Sequence, residues 1–228
     1  MAVQQKTPCE IFIGNVCNNY GMNTAIDKTP IQGDCYLSPL GFEGDQCAST
    51  KVHGGVERAL HHYPREHYQT LASIYPKSPA FLQGLGMGEN LSTIGMIEEN
   101  VYIGDRYQLD EAIIEVSQPR SACFKLNTRW QVSDLSTVIQ QRNLCGWLYR
   151  VIKPGQVRAG SELTFLSRPD SAMSISQVCG IFFHDPLNFQ RLEKLATLQG
   201  LSVGWQNKSI ERLESGVVES WQMRLFGK

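Results

Sequence analysis

Residues 112–127 read AIIEVSQPRSACFKLN, and this stretch decides how the first two-thirds of the chain is interpreted. In its first half, Ile114 and Val116 alternate with Glu115 and Ser117, the period-two pattern of a half-buried strand. Similar short runs, broken by turn residues, occur on both sides of it. They are Glu10 to Val16, Thr29 to Gln32, Arg58 to Tyr63, Tyr107 to Leu109, Gly146 to Ile152 and Ser161 to Leu166. Short strands with frequent turns and few helices predict a mainly β fold with a closed or strongly curved sheet.

The hydrophobic spacing changes after residue 169. Three later stretches carry helical periodicity: Ser174 to Phe183, Leu187 to Leu198 and Ser202 to Leu213. Short helices of this kind would form a small C-terminal three-helix bundle. We therefore predict a β domain over residues 1–169 and a helical domain over residues 170–228, and leave Val217 to Phe226 open as strand or helix.

Composition excludes several classes of protein. The 228 residues carry a formal net charge of -1, and 42% of them are hydrophobic, which favours neither disorder nor nucleic-acid binding. No stretch approaches the roughly 20 apolar residues of a membrane-spanning helix, and residues 1–10 lack the apolar region of a signal peptide. We expect a cytoplasmic protein that binds neither nucleic acid nor membrane.

The chain contains seven cysteines, an odd number, and no two of them are spaced as C-x-x-C. A disulfide framework and a zinc ribbon are therefore disfavoured. Most of these thiols should be reduced core residues, and at least one could be reactive or bind a metal.

Cys123 is the strongest candidate because it lies between two cations, Arg120 and Lys125, just beyond the predicted strand. Positive charge near a thiol favours the thiolate, which attacks electrophiles and binds soft metals. The plainer alternative, a buried cysteine flanked by surface charges, is the more common situation for a free cysteine.

Three other segments could carry chemistry. His53-Gly54-Gly55 allows close backbone approach to a ligand, and Arg58 could bind an anion, although a tight turn explains the same pattern. Neighbouring His61 and His62 would point to opposite faces of a strand, so the two cannot easily bind one metal ion. Asn90 follows a glycine-rich loop and could donate hydrogen bonds to a ligand, although a structural role in the loop is the default.

Taken together, these segments resemble the MOSC family and, within it, the YiiM group. The matching segments are Gly44-Asp45, His53-Gly54-Gly55, Arg58-Ala59-Leu60, His62 to Tyr68, Gly88 to Leu91, Gln118 to Ser121 with Cys123, Lys125 and Leu126, and Cys145-Gly146-Trp147 with Arg150, Val151 and Pro154-Gly155. The resemblance runs from about residue 10 to residue 168, and the C-terminal helices resemble the three-helix tail of the YiiM group.

This resemblance implies a β-barrel-like MOSC domain that binds the molybdenum cofactor (molybdopterin). Cys123 would bind the molybdenum or carry its sulfur. Relatives are oxidoreductases that reduce small N-hydroxylated compounds, including N-hydroxylated purine bases, in a detoxification reaction, with electrons from a flavoprotein reductase. A homodimer is compatible with the sequence but is not established by it.

The resemblance also suggests roles for other residues. Cations and amides should bind the cofactor phosphate, and the candidates are Lys51, Arg58, Asn90, Arg120 and Lys125. Protons for the departing oxygen would come from His53 or His62, since either imidazole could titrate near neutral pH.

Two positions depart from the pattern of the group. Ala122 stands where a proline usually precedes the cysteine, and Cys47-Ala48-Ser49 stands where Gln-Ala-Asp is usual. The absent carboxylate affects the substrate side of the pocket, whereas the cysteine itself is retained.

Two readings of another kind remain open. Cys123 could hold a persulfide in a sulfur carrier or cofactor-handling protein, or the chain could be a non-catalytic binding module whose helical tail engages a partner.

Overall fold

The computed structural model describes residues 6–228, except for the side chains of residues 51 and 52. Before residue 168, short strands are the main regular structure of the described chain. The strands are β1 (Lys6–Pro8), β2 (Glu10–Ile13), β3 (Cys17–Asn19), β4 (Met22–Thr24), β5 (Thr29–Pro30), β6 (Asp34–Ser38), β7 (Gly41–Phe42), β8 (Leu60–His62), β9 (Leu91–Ser92), β10 (Arg106–Leu109), β11 (Ala112–Pro119), β12 (Trp147–Lys153), β13 (Gly155–Arg158) and β14 (Glu162–Ser167).

Nine of these strands form one sheet in the order β1-β14-β10-β11-β12-β8-β9-β2-β5. Its pairs are antiparallel except β8 with β9, which run parallel. The sheet curls into a barrel-like shape, and two smaller sheets, β13-β6-β7 and β3-β4, complete the β region. The mainly β, curved-sheet fold expected from the turn spacing is thereby confirmed.

The central strand β11 is more deeply buried than its alternating sequence predicts. All of its residues except Ile113 are buried, including Glu115 and Ser117. The prediction of a half-buried strand is wrong, because in the curled sheet both faces of β11 are covered. The Glu115 carboxylate is tolerated there because Arg106 Nε and Arg150 Nη1 each lie 2.6 Å from its oxygens.

The helices lie mainly around and after the sheet. They are α1 (Thr50–His53), α2 (Glu66–Ile74), α3 (Phe124–Trp130), α4 (Leu135–Gln141), α5 (Ile175–Cys179), α6 (Phe189–Ala196), α7 (Val203–Ser215) and α8 (Gln222–Phe226). Short 3-10 helices cover Val56–Arg58 and Pro79–Gln83, and a π-helical turn, Gly180–His184, extends α5. Helices α3 and α4 directly follow Cys123 and bury Leu126 and Leu135 completely.

Three helices, α5, α6 and α7, form the C-terminal bundle that the periodicity predicts. Its first helix begins with a capping box, in which Ser174 Oγ accepts from Gln177 N at 3.1 Å while Gln177 Oε1 accepts from Ser174 N at 2.8 Å. The last strand ends at Ser167, so the proposed boundary at residue 170 falls in the connection and remains a prediction.

Val217 to Phe226, which the sequence left open as strand or helix, contains the helix α8. This helix lies beyond the bundle and contacts α3. Over residues 6–228, no helix combines the length and apolar character that crossing a membrane requires.

Candidate functional site

Cys123 lies where the central strand gives way to a helix. The strand β11 ends at Pro119, and Cys123 is the N-cap residue of α3, with extended backbone angles of φ -134° and ψ 163°. Its carbonyl accepts from Leu126 N at 3.0 Å, which fixes the first turn. The side chain is only 8% exposed, so the surrounding groups control access to the thiol.

Arg120 presents a hydrogen-bond donor that is not satisfied by the described residues. Its backbone N–H donates to Gly146 O at 3.1 Å, which ties the segment before Cys123 to the start of β12. The side-chain Nη1 is buried and has no hydrogen-bond partner in the described part of the chain. A buried guanidinium N–H without a partner is costly, which is a reason to expect a ligand acceptor at this position.

A group of cations converges close to this position. The pKa of His53 is lowered to about 4, first by desolvation and then by the positive charges of Arg120, Lys125 and Arg58. These side chains come from separate segments, so the fold assembles the positive potential that the sequence predicted. Lys125 Nζ donates to Asn23 O at 3.3 Å, while the side chain of Lys51 lies outside the described residues.

The proposed proton donors do not titrate where the sequence analysis expected. His62 is completely buried and stacks on Trp147 at a ring distance of 4.4 Å. Its Nδ1 lies 3.1 Å from the Tyr149 hydroxyl, and its Nε2 lies 2.9 Å from Thr93 Oγ1. Burial lowers the pKa of His62 to about 3, so the prediction that either His53 or His62 titrates near neutral pH is wrong.

The neighbouring histidine, His61, faces the other side of the sheet. Leu148 on β12 pairs with both Gln118 on β11 and His61 on β8, so the three residues form one cross-strand row. The Nε2 atom of His61 and the Oε1 atom of Gln118 are both buried without a hydrogen-bond partner among the described residues. Arg120 lies two positions beyond Gln118, which places three unsatisfied polar side chains in the same neighbourhood.

Sequence reasoning missed His61 and Gln118. The alternation of side chains along a strand places His61 and His62 on opposite faces. It does not say which of the two faces is packed against the core. Desolvation, followed by the charge of Arg120, lowers the pKa of His61 well below its usual value, which keeps the imidazole neutral at pH 7. Its buried Nε2 is therefore suited to hydrogen bonding rather than to carrying charge.

Gly146 fixes the geometry of this neighbourhood. Its φ is +66°, and an added Cβ would lie 2.1 Å from the carbonyl oxygen of His62, so no larger residue fits. Gly146 N donates to Glu98 Oε1 at 2.7 Å, and the other oxygen of Glu98 pairs with His67 Nε2 at 2.7 Å. Through Glu98, His67 is therefore connected to the backbone of Gly146.

Asn90 has a structural role. Its Nδ2 donates to Phe12 O at 3.2 Å and to Asp45 Oδ2 at 2.8 Å, while its Oδ1 accepts from His61 N at 3.1 Å. Both amide hydrogens are used within the chain, so a hydrogen bond from the Asn90 amide to a ligand, which stays a prediction, would have to replace one of these contacts. Asp45 is held in turn by the buried ammonium group of Lys28.

The remaining buried thiols lack this environment. Burial raises the pKa of Cys9 to about 12. The Sγ atoms of Cys145 and Cys179 lie 3.7 Å apart, and this contact together with burial raises the pKa of Cys145 well above its usual value. The thiols of Cys9 and Cys145 therefore remain protonated and packed, whereas Cys123 lies close in sequence to Arg120 and Lys125 and is the candidate for chemistry.

The residues at Cys123 fit a cofactor that brings most of its own metal ligands. Within residues 6–228, no group of three or more histidine, cysteine, aspartate or glutamate side chains could hold a metal ion. One thiolate is a suitable soft ligand for a metal that is otherwise held by its cofactor. The buried, unsatisfied atoms of Arg120, Gln118 and His61 provide donors and acceptors for a polar group carrying phosphate.

Comparison with known proteins agrees with this architecture. A family model described as the MOSC domain matches residues 49–164, and one described as a YiiM-like, 3-alpha helix domain matches residues 173–216. The chain therefore belongs to the MOSC-domain family. Its C-terminal domain places it with the YiiM-like members, as the sequence resemblance predicted.

Individual relatives give the same result. Protein YiiM of Escherichia coli is 40% identical over 222 residues, which cover 97% of this chain and 99% of that protein. A crystal structure of YiiM from Escherichia coli matches with a TM-score of 0.84 and 36% identity over 98% of this chain and 100% of that one. A protein of Gibberella moniliformis named Reductase is 38% identical over 158 residues, 69% of this chain but 28% of that protein.

Proposed function

We propose that this protein is an oxidoreductase that binds the molybdenum cofactor at Cys123 and reduces small N-hydroxylated compounds such as N-hydroxylated purine bases. The observation that carries the proposal is the Cys123 thiol three residues after Arg120, whose buried Nη1 has no hydrogen-bond partner among the described residues. Positive charge from Lys125 and Arg58 extends the same site.

The family relationships support a redox function. The match to the MOSC domain spans the segment that contains all of these residues, from residue 49 to residue 164. The fungal relative is named Reductase, and its similarity extends over more than half of this chain. Both observations favour oxidoreductase chemistry over a binding module without catalytic activity.

Reduction of an N-hydroxylated nitrogen consumes two electrons and two protons, and it yields the N–H compound and water. Protein side chains do not provide such electrons, so the cofactor would supply the two-electron chemistry and a flavoprotein reductase would replenish it. The chain would hold the metal through the Cys123 thiolate. Arg120, Lys125 and Arg58 would bind the phosphate with charged donors.

The histidines then have defined and different duties. His61 is neutral, and its unsatisfied Nε2 would orient a polar group of the cofactor or substrate. Desolvation and the neighbouring cations keep His53 neutral at pH 7, so its imidazole would donate or accept hydrogen bonds and would not serve as a cationic acid. His62 would act only through packing, because its two ring nitrogens are already hydrogen-bonded.

The test uses full-length protein produced in a host that makes the molybdenum cofactor. Molybdenum content is measured first, followed by reduction of an N-hydroxylated purine base with an artificial electron donor and then with a flavoprotein reductase. Cys123→Ser should lower activity by about 100-fold or more, since loss of a ligand costs at least as much as loss of its supporting groups. Cys17→Ser, at an exposed thiol, is the matched control and should retain activity.

Full activity in a correctly folded Cys123→Ser protein would refute the proposal. Sulfane sulfur on Cys123 without bound molybdenum would instead identify a sulfur carrier that uses a persulfide.

A further inference from the structure

The C-terminal segment, residues 221–228, leaves the helical bundle and returns to the helix that carries Cys123. Within it, α8 packs against α3, and Leu225 is only 5% exposed. Leu225 O accepts from Asn127 Nδ2 at 3.1 Å and from Ser136 Oγ at 3.0 Å. Gly227 lies so close to the ring of Phe124 that an added Cβ would be 3.0 Å from it. The segment is therefore attached through specific contacts.

Arg224 contacts the residue immediately before Cys123. Its Nη1 donates to Ala122 O at 2.7 Å, and its Nη2 donates to Gln140 Oε1 at 2.5 Å. One guanidinium thus joins the residue immediately before Cys123 to helix α4. Two parallel donors on a planar group fix both partners more firmly than a single flexible ammonium would.

The aromatic side chains around Arg224 hold it in place. Its guanidinium carbon lies 5.5 Å from the ring centre of Phe183 and 5.9 Å from that of Trp221. Both distances are within the range of cation–π attraction. Because Phe183 belongs to the bundle, the orientation of Arg224 depends on the C-terminal domain as well as on the MOSC domain.

The charge of Arg224 belongs to the same electrostatic environment as Cys123. Burial, with smaller contributions from the charges of Arg120 and Arg212, lowers the pKa of Arg224 to about 10 against the opposing effects of Cys123 and Glu219. The side chain remains protonated at neutral pH. It is therefore a cation close to both Cys123 and Arg120.

We propose that Arg224 is a positioning residue of the Cys123 site, and that the C-terminal segment fastens the Ala122–Cys123 turn in the conformation that receives the cofactor. This inference rests on the proposed function for the identity of the cofactor. The fastening of the turn is a property of the chain itself and can be measured without any cofactor.

The experiment compares full-length Arg224→Ala, Arg224→Lys and the control Met223→Ala, which alters a neighbouring side chain that is 67% exposed. Amide hydrogen exchange of residues 121–126 is measured on cofactor-free protein. Molybdenum and pterin content is measured on protein from a cofactor-competent host. Circular dichroism and thermal unfolding confirm that each variant is folded.

In Arg224→Ala we expect exchange in residues 121–126 to become at least threefold faster and cofactor content to fall at least threefold. Arg224→Lys should recover part of both, since one donor and the charge remain, and Met223→Ala should match the unaltered protein. Unchanged exchange in Arg224→Ala would overturn the inference, whatever the cofactor content. Faster exchange with full cofactor content would also overturn it, because the contact would then be purely structural.

The outcome is separable from that of the proposed function. If Cys123→Ser retains its molybdenum, the cofactor assignment fails. The exchange measurement would still establish or refute the fastening of the turn by Arg224.

Discussion

The adjacent histidines His61 and His62 belong to the same strand but differ in the hydrogen bonding of their side chains. His62 is completely buried, and both of its ring nitrogens have partners within about the normal hydrogen-bond distance. His61 is 8% exposed, and its Nε2 has no partner in the described chain. Native proteins rarely leave a buried polar atom unsatisfied, so the His62 face of this strand is packed core, while the His61 face has the free polar atom that the proposed ligand site requires.

This difference shows that two adjacent residues of a curled sheet can have opposite environments, one with satisfied and one with unsatisfied polar atoms. The face of His62 contains Trp147, which stacks on its ring. The face of His61 contains Gln118, and Arg120 follows two residues later. Each of these three side chains has a buried polar atom without a hydrogen-bond partner among the described residues. The distinction depends on strand register, and Gly146 helps to fix it by allowing the approach of β12 to the His62 carbonyl.

The largest effect is expected from His62→Ala. This change removes two buried hydrogen-bond partners and a stacked ring, so the free energy of unfolding should fall by about 3–5 kcal/mol. Urea denaturation of cofactor-free protein measures it. A loss below about 1 kcal/mol would show that the packed face has been assigned to the wrong histidine.

Asn90→Ala should come next. The variant leaves Phe12 O, Asp45 Oδ2 and His61 N without their buried partner, and we expect a loss of about 2–3 kcal/mol in the free energy of unfolding. Because Asn90 supports the backbone of His61, cofactor content should fall in parallel with stability. Lower cofactor content at unchanged stability would instead make Asn90 a direct ligand donor.

A pH dependence of stability follows from His62. Its pKa is about 3 in the folded protein against 6.5 for the ordinary side chain, so the unfolded chain binds the proton first as the pH falls. The contribution of neutral His62 is intact above pH 6.5 and is lost progressively as the pH drops toward 3. Between pH 7 and pH 5 the loss should be about 2 kcal/mol. His62→Gln should lack this part of the loss, and an identical slope in the variant would contradict the assignment.

The smallest effect on stability is expected from His61→Gln. Its Nε2 makes no hydrogen bond to the described residues, so the free energy of unfolding should change by less than about 1 kcal/mol. Cofactor content or the KM for an N-hydroxylated substrate should nevertheless change severalfold. If both remain unchanged, His61 does not face the ligand.

Much of the fold could be predicted from the chain alone. The alternation around Ile114 and the turn residues between short runs indicated a curved sheet, and the later periodicity indicated three helices. The burial of Glu115 could not be predicted, because it depends on Arg106 and Arg150 meeting it in space. Helices α3 and α4 were missed because each spans only seven residues, too short for a clear periodic signal.

Predictions for the site divide in the same way. Cys123, Arg120 and Lys125 are close in sequence, so their association was visible without coordinates. The titration expected of His53 and His62 was wrong, because desolvation lowers both pKa values and neighbouring cations add to the effect at His53. The structural contacts of Asn90 could not be predicted either, since its partners lie 29 to 78 residues away.

The sequence by itself determined the class of fold, the family and a cysteine between two cations, because each of these depends on local pattern or on short segments. Only the tertiary structure decided which of the two histidines keeps a buried ring nitrogen without a partner among the described residues. It also brought Arg224 to the carbonyl of Ala122 across 102 residues of chain. The physical reason is that burial, strand register and hydrogen-bond satisfaction are properties of residues distant in sequence that meet only after the sheet has curled and the tail has docked.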